Sequence, residues 1–172
     1  MGPGGSTSSW WGNSDLARGE KPAVAIAVED PGQPAVEALI RAADNYLGGL
    51  YPPEQNYLLD IAQLQKPDVT FLVARLEGEV VGCGAMVRYP GYGEIKRMYV
   101  VPARRGLGIG RRLIEGLEQA AAEASLDLLR LETGTRQPEA IGLYRAYGYV
   151  ERGPFGDYPE AEFSLFMEKR LA

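Results

Sequence analysis

The 172-residue chain contains no histidine. Ser-His-Asp and Cys-His catalysis are therefore excluded, along with most catalytic zinc sites, which depend on imidazole ligands. Any acid–base chemistry must fall to Glu, Asp, Tyr, Lys or Cys, with water as a relay. Cysteine occurs once, at Cys83, which rules out an internal disulfide and a Cys-based metal site and fits a reducing compartment. Among Val81, Gly82 and Ala85, Cys83 reads as a small core residue rather than an acyl-carrying nucleophile; no metal site is expected. No apolar run approaches the roughly 18–20 residues of a membrane span. The N-terminus lacks the basic start and apolar stretch of a signal peptide. A cytoplasmic protein without membrane attachment is expected. A basic excess is missing too: 18 Lys and Arg against 23 Asp and Glu leave a net charge of −5, which argues against a general nucleic-acid binder and mildly favours cationic acceptors.

What remains is the composition of a globular protein, 45% hydrophobic and 24% charged, of a size that suits one domain with a sizeable core. Residues 1–21 are Gly/Ser-rich, show neither helical nor strand period, and read as a flexible leader that carries an isolated Trp10-Trp11 pair. The domain is expected over 22–172. A short apolar run at 23–28 suggests a strand closed by Asp30-Pro31-Gly32. Pro34 opens a helix with Val36, Leu39, Ile40, Ala43 and Leu47 on one face, stopped by Gly48-Gly49. After Tyr51-Pro52-Pro53, the residues Tyr57, Leu58, Ile61 and Leu64 suggest a second short helix. Strands at 70–76 and 80–89 are joined by the hairpin turn Glu77-Gly78-Glu79. Pro90-Gly91 turns the chain into a further strand at 94–101. Ile109, Leu113, Leu117 and Ala121 recur every four residues and mark the clearest helix. A strand at 127–132, a helix at 138–147 ended by Gly148, and closing strands at 149–152 and 162–168 complete the order. The pattern is an α/β chain with a mixed sheet and helices on its faces.

The chemistry concentrates in Arg105-Gly106-Leu107-Gly108-Ile109-Gly110-Arg111-Arg112, between a strand and a helix. Glycines let the backbone turn sharply and approach a ligand. A helix N-terminus offers free N–H groups and the positive end of the helix dipole, a site suited to phosphate. First helical turns ordinarily favour acidic residues. Here Arg111 and Arg112 take those places, with Arg104 and Arg105 just upstream, an inversion that a bound phosphate or pyrophosphate would stabilise. The bland alternative is a pair of surface cations near Glu115. A Walker loop is excluded because no Gly-Lys-Ser/Thr follows. A dinucleotide fold is disfavoured because the motif follows a meander rather than the first strand of a βαβ unit.

The run from Val101-Pro102-Ala103-Arg104 through Arg105, Gly108 and Gly110 resembles the acetyl-CoA signature of the GNAT (GCN5-related N-acetyltransferase) superfamily. That signature is Arg or Gln, two residues, Gly, one residue, then Gly or Ala. A second block, Ala140-Ile141-Gly142-Leu143-Tyr144-Arg145-Ala146-Tyr147-Gly148-Tyr149, is similar to the family's Ala…Leu-Tyr…Gly-aromatic segment. The two blocks stand at family spacing, and the strand order agrees over roughly residues 23–171. The resemblance implies the acyl-CoA N-acyltransferase fold, a largely antiparallel mixed sheet flanked by helices. It implies transfer of the acetyl group of acetyl-CoA to an amine by direct attack in a ternary complex, the acceptor being a small molecule or amino-acid-like, and a homodimer. Arg105, Gly106, Leu107, Gly108, Ile109, Gly110 and Arg111 would hold the coenzyme pyrophosphate. Amides of Met98, Tyr99 and Val100 would hold the thioester carbonyl. Tyr144 would protonate the leaving thiolate. Gln137 stands where many relatives have Asn, one methylene longer, in a position that helps hold the coenzyme.

An amine of pKa near 10 must lose a proton before it attacks, and without histidine a carboxylate is the expected base. Glu94 is the first candidate, because its distance before the signature matches that of the family's catalytic glutamate. Glu132 and Glu54 are rivals. Two segments remain open. The loop 153–159, with Phe155 and Tyr158, would serve equally as a lid over the acceptor or as a loop packed on the sheet edge. The stretch Tyr51-Pro52-Pro53-Glu54 would shape the acceptor site. A non-catalytic acyl-CoA-binding module is the competing reading.

Overall fold

The computed structural model describes residues 23–171; the segment 1–21 with Trp10-Trp11 lies outside the described residues. Strands β1 (Val24–Val28), β2 (Val69–Leu76), β3 (Glu79–Tyr89), β4 (Tyr92–Val100), β5 (Leu128–Gly134), β6 (Val150–Arg152) and β7 (Ser164–Arg170) form one sheet in the order β1-β2-β3-β4-β5-β7-β6. The β2–β3 connection is the two-residue turn Glu77-Gly78, at φ +51° and +82°, the left-handed pair that matches hairpin twist. Every described pairing is antiparallel except β4 with β5. A parallel step needs a crossover. The crossover is α3 (Ile109–Glu123), with α1 (Pro34–Gly48), α2 (Ile61–Leu64) and α4 (Pro138–Ala146) completing the helices.

Period-two alternation sends β2 side chains to two cores. Phe71 and Val73 face one way and pack with Val36, Leu39 and Ile40 of α1, Leu64 of α2, and Cys83 and Ala85 of β3. Leu72, Ala74 and Leu76 face the other way, onto Ile109, Leu113, Ile114 and Leu117 of α3 and Tyr144 of α4. Leu113, Ile114 and Leu117 are fully buried, each contributing about 1.5–3 kcal/mol by the area removed from water. The helices therefore lie on both faces of the sheet, and Cys83 is a core residue. No helix among the described residues is long and apolar enough to cross a membrane.

Two local outcomes differ from the sequence pattern. The second helix begins only at Ile61, because Asp60 caps it. The Asp60 carboxylate accepts from the Gln63 N–H at 2.8 Å, and the Gln63 side chain accepts from the Asp60 N–H at 2.9 Å, a reciprocal cap that fixes the start. Tyr57 and Leu58 are thereby left in irregular chain. The other difference lies in β4. Cys83 pairs with Tyr99 but Ala85 pairs with Lys96, so Arg97 and Met98 stand opposite the single residue Gly84. This is a β-bulge, with Arg97 at φ +59°, a conformation that a long side chain rarely adopts.

Candidate active site

The bulge has a consequence for the side chains that follow it. Ile95, Met98 and Val100 pack against the α3 core, while Tyr99 packs against the α1 core. Regular alternation would turn Arg97 toward α3. Instead its Nε and Nη2 donate to the Leu59 carbonyl at 2.8 and 2.6 Å, and Nη1 binds the Asp44 carboxylate of α1. Lys96 and Arg97 thus share the α1 face, and the segment before α2 is tied over β4.

Beside the bulge the sheet opens. β4 and β5 pair only through Gly93 with Leu129, Glu94 with Arg130 and Ile95 with Leu131. Past those residues both strands continue, to Val100 and Gly134, without pairing to each other. A cavity of about 100 Å³ occupies the gap, lined in part by Lys96, Arg97, Tyr99, Glu132, Tyr144 and Tyr158. It is smaller than the roughly 300–1,000 Å³ of sites that enclose whole ligands, so it suits the reacting ends of two substrates.

The two carboxylates near this gap differ. Glu94 is 3% exposed and does not line the cavity. Its Oε2 accepts from the Tyr158 hydroxyl at 2.6 Å and stands 3.5 Å from Lys96 Nζ. Glu132 faces the cavity. Burial pushes its carboxyl up to about 7, opposed by the Ser164 hydroxyl and by the Lys96 charge and reinforced by Glu94. Glu54 is exposed on the short 3-10 turn Pro53–Gln55 and stays outside the cavity. The rival Glu132 is therefore the carboxylate that the fold brings to the open space. Its signal in the sequence is its place at the end of the strand expected over 127–132; in the structure β5 runs on to Gly134.

Tyr144 enters the same cavity from the opposite side, on α4. It is 5% exposed, its ring meets Tyr149 edge-on at 5.8 Å, and burial raises its phenol above the ordinary tyrosine range. Gln137 precedes α4 as its N-cap residue and lines the cavity; its Oε1 accepts from the Tyr51 hydroxyl at 3.2 Å. The Arg136 N–H donates to the same hydroxyl at 3.0 Å. Tyr51 reaches these groups only because residue 134 is glycine: a Cβ there would lie 1.9 Å from the hydroxyl oxygen.

The glycine-rich loop leads from β4 into α3. Gly106 and Gly108 take φ of +83° and +79°, where other residues are strained. Among the described residues, no acceptor takes the N–H groups of residues 106–111, and the first turn of α3 carries no acidic side chain. Neither Arg111 nor Arg112 forms an ion pair among the described residues, and Glu115 is taken by the Tyr147 hydroxyl at 2.7 Å. Arg105 leans back over the opening, its Nε donating to the Val100 carbonyl at 3.2 Å and its guanidinium 5.4 Å from the Tyr46 ring. Free amides, a helix N-terminus and nearby guanidinium groups fit a pyrophosphate.

The 153–159 loop resolves both ways. Phe155 and Tyr158 pack edge-on against Phe166 of β7 at 5.8 and 5.5 Å, holding the loop on the sheet. Tyr158 also lines the cavity and meets Tyr57 at 5.0 Å. Neither Lys96 nor Arg97 stands out as a site residue in the sequence, and Tyr51 does so only as part of the 51–54 stretch. The hint for Lys96 was its i+2 relation to Glu94 on a strand.

A sheet opened between one parallel strand pair, a glycine loop with unbonded amides at one end, and a carboxylate and a phenol lining the gap make up the candidate site. The chain belongs to the acetyltransferase (GNAT) family, whose profile matches residues 36–149, and is an N-acetyltransferase of that family. It is 55% identical over 152 residues to the IAA acetyltransferase of Azospirillum brasilense, covering 87% of this chain and 99% of that protein. It is 30% identical to the uncharacterized N-acetyltransferase YsnE of Bacillus subtilis (strain 168), over 85% of this chain and 99% of that one. Among solved structures, a Klebsiella pneumoniae protein regarded as an acyl-CoA N-acyltransferase superposes with a TM-score of 0.77 at 38% identity, covering 87% and 98% of the two chains. The PaiA N-acetyltransferase of Thermoplasma acidophilum, solved with coenzyme A, shares the fold with a TM-score of 0.67 at 18% identity, over 86% of this chain and 99% of that one.

Proposed function

We propose that the chain transfers acetyl from acetyl-CoA to the amine of a small, amino-acid-like acceptor by direct attack, with Glu132 as general base and Tyr144 as general acid. The observation that carries this reading is the meeting of Glu132 and Tyr144 from opposite faces of the sheet in one cavity, next to a loop of unpaired amides. Residues 106–111 bind the pyrophosphate through those amides, Arg105 adds its guanidinium, and Gln137, at the α4 N-terminus, adds a side-chain contact.

Glu132 takes a proton from the entering ammonium, directly or through water, and frees the nitrogen lone pair. With the carboxyl pushed to about 7, it is ionised for roughly half the molecules at neutral pH and still basic enough to accept a proton there. The nitrogen bonds to the thioester carbon, and the unpaired edge of β4 within the stretch Met98 to Val100 offers backbone N–H to the oxygen as it gains charge. As the C–S bond breaks, Tyr144 supplies its proton to the sulfur. Burial holds that phenol neutral until then, and a thiolate set free in the same surroundings is destabilised by the same desolvation. Once the C–N bond has formed, the nitrogen sheds its second surplus proton to solvent; solvent also returns a proton to Tyr144 and takes one from Glu132, so each turnover yields one amide, one thiol and one released proton.

In this reading Glu94 is not the base, because Tyr158 and Lys96 stand between it and the open space. The net charge of −5 suits the approach of a cationic amine. The test is acetyl-CoA-dependent thiol release over polyamines, amino acids, aminoglycosides, aromatic amines and short peptides, with IAA added because the Azospirillum brasilense relative is named for it. Turnover confined to one small-amine class supports the reading and names the acceptor. Binding of acetyl-CoA without turnover on any acceptor favours a non-catalytic coenzyme-binding module. Turnover on peptides alone overturns the small-molecule assignment.

A further inference from the structure

Lys96 carries a charge into a part of the molecule that has little room for one. Its side chain is 13% exposed, and a buried ammonium is costly unless it is paired. Two partners hold it. Nζ donates to the Tyr158 hydroxyl at 2.6 Å and stands 3.5 Å from the Glu94 carboxylate, while the same hydroxyl donates to Glu94 at 2.6 Å. Tyr158 is itself fixed by Tyr57, Phe155 and Phe166. The ammonium is thus a clamped charge, unlike the mobile head of a surface lysine.

The register of the parallel pair decides what this charge addresses. Glu94 lies opposite Arg130 and Ile95 opposite Leu131. The next residue along each strand is Lys96 on β4 and Glu132 on β5, where the strands part. Both side chains lie on the α1 face and both line the cavity. The register therefore puts a fixed cation on the same face of the cavity as Glu132, the one carboxylate that lines it among the described residues.

We propose that Lys96 is a positioning residue of the transfer reaction: clamped by Tyr158 and Glu94, its ammonium keeps Glu132 in the carboxylate form that accepts the amine's proton. The inference rests on Glu132 being the base. The groups that act on Glu132 are Ser164 from β7 and Lys96 and Glu94 from β4; the phenols of Tyr158 from the loop before β7, Tyr144 from α4 and Tyr51 from the chain after α1 feel its charge in turn. Arg97, although close in sequence, is turned to Asp44 and Leu59. Of these groups, Lys96 and Glu94 are the charged pair, and they act in opposite directions. Lys96 draws the Glu132 carboxyl down, and Glu94 pushes it up.

The experiment is kcat against pH at saturating acceptor, so that the free amine's own ionisation drops out, for the full chain and for Lys96→Met, Lys96→Arg and Glu94→Gln. The acidic limb is expected to move up by about one pH unit or more in Lys96→Met and down in Glu94→Gln. Lys96→Arg, which keeps the charge, should hold the limb within a few tenths of a unit and guards against a folding defect in the methionine variant. A uniform loss of rate with an unmoved limb, or a shift of both charge-removing variants in one direction, overturns the proposal. Carbon-13 NMR titration of the Glu132 carboxyl separates the two ways of failing. A Glu132 signal unmoved by Lys96→Met overturns the inference, whereas a signal that moves without the kinetic limb overturns Glu132 as the base and the role of Lys96 with it.

Discussion

The two sides of the β4–β5 opening are built on different terms. The side proposed for the coenzyme is made of backbone: the free N–H groups of residues 106–111, the left-handed glycines Gly106 and Gly108, and the start of α3. Its side chains matter mainly for what they leave out, since no acidic residue competes with an anion there. The side proposed for the acceptor is made of cavity-lining side chains drawn from far apart in the chain: Tyr51, Tyr57, Lys96, Arg97, Glu132, Tyr158 and Phe163. A backbone site presents the same atoms whatever the neighbouring side chains are. A side-chain site can change its acceptor with one substitution. The contrast teaches why a family can keep one donor and vary the acceptor.

Substitutions on each side should therefore fail in different ways. The largest effect is expected from Glu132→Gln, a fall in kcat of about 10³-fold with acetyl-CoA affinity nearly unchanged; Glu94→Gln should cost less than tenfold in steady-state kinetics at pH 8. An equal loss from the two would erase the distinction between the cavity-facing carboxylate and the sealed one. In the unaltered chain, kcat should rise with pH through about 7 as Glu132 ionises. Tyr144→Phe comes next, with kcat down about 10²-fold and isothermal titration showing acetyl-CoA still bound. A smaller effect is expected on stability. The Glu132 carboxyl is raised above its unfolded value near 4.5, so the stability tied to its protonated form is full below that value and is lost as pH rises through about 7. Glu132→Gln escapes the loss and should unfold later at pH 8, by on the order of 2 kcal/mol, with no advantage at pH 4.5. Thermal unfolding at the two pH values checks this. The smallest effect belongs to the coenzyme side. Gly108→Ala must hold φ +79° at about 1–2 kcal/mol, which predicts roughly tenfold weaker acetyl-CoA binding with kcat at saturation preserved.

The same division explains what could be read before the structure. Local rules govern the coenzyme side, so its loop, the helix that follows and the strand order were all legible from glycine spacing and periodicity. Tyr144 was placed by the block around it, and the cavity does receive it. The acceptor side escaped for physical reasons. The bulge at Arg97 turns two successive side chains to one face, which strict alternation cannot anticipate. The choice between Glu94 and Glu132 depends on where β4 and β5 stop pairing and on Tyr158, 64 residues away, covering one of them. The apolar pattern carries the second helix back to Tyr57, whereas the Asp60 cap begins it four residues later. Each miss involves a contact between distant parts of the chain or an irregularity within a strand.

Tyr51 bears on how such a site can be altered. Its hydroxyl occupies the space that any side chain at position 134 would need, and it ties Gln137 and Arg136 to the end of α1. Positions 51 and 134 are thus interlocked, and a change at either is conditional on the other. Grafting the segment after α1 from a relative to alter acceptor choice would have to carry a residue of the same reach at 51. Widening position 134 first would instead block the tyrosine from returning. The order in which changes can accumulate is therefore constrained by one glycine, and an engineer redesigning the acceptor wall inherits that constraint.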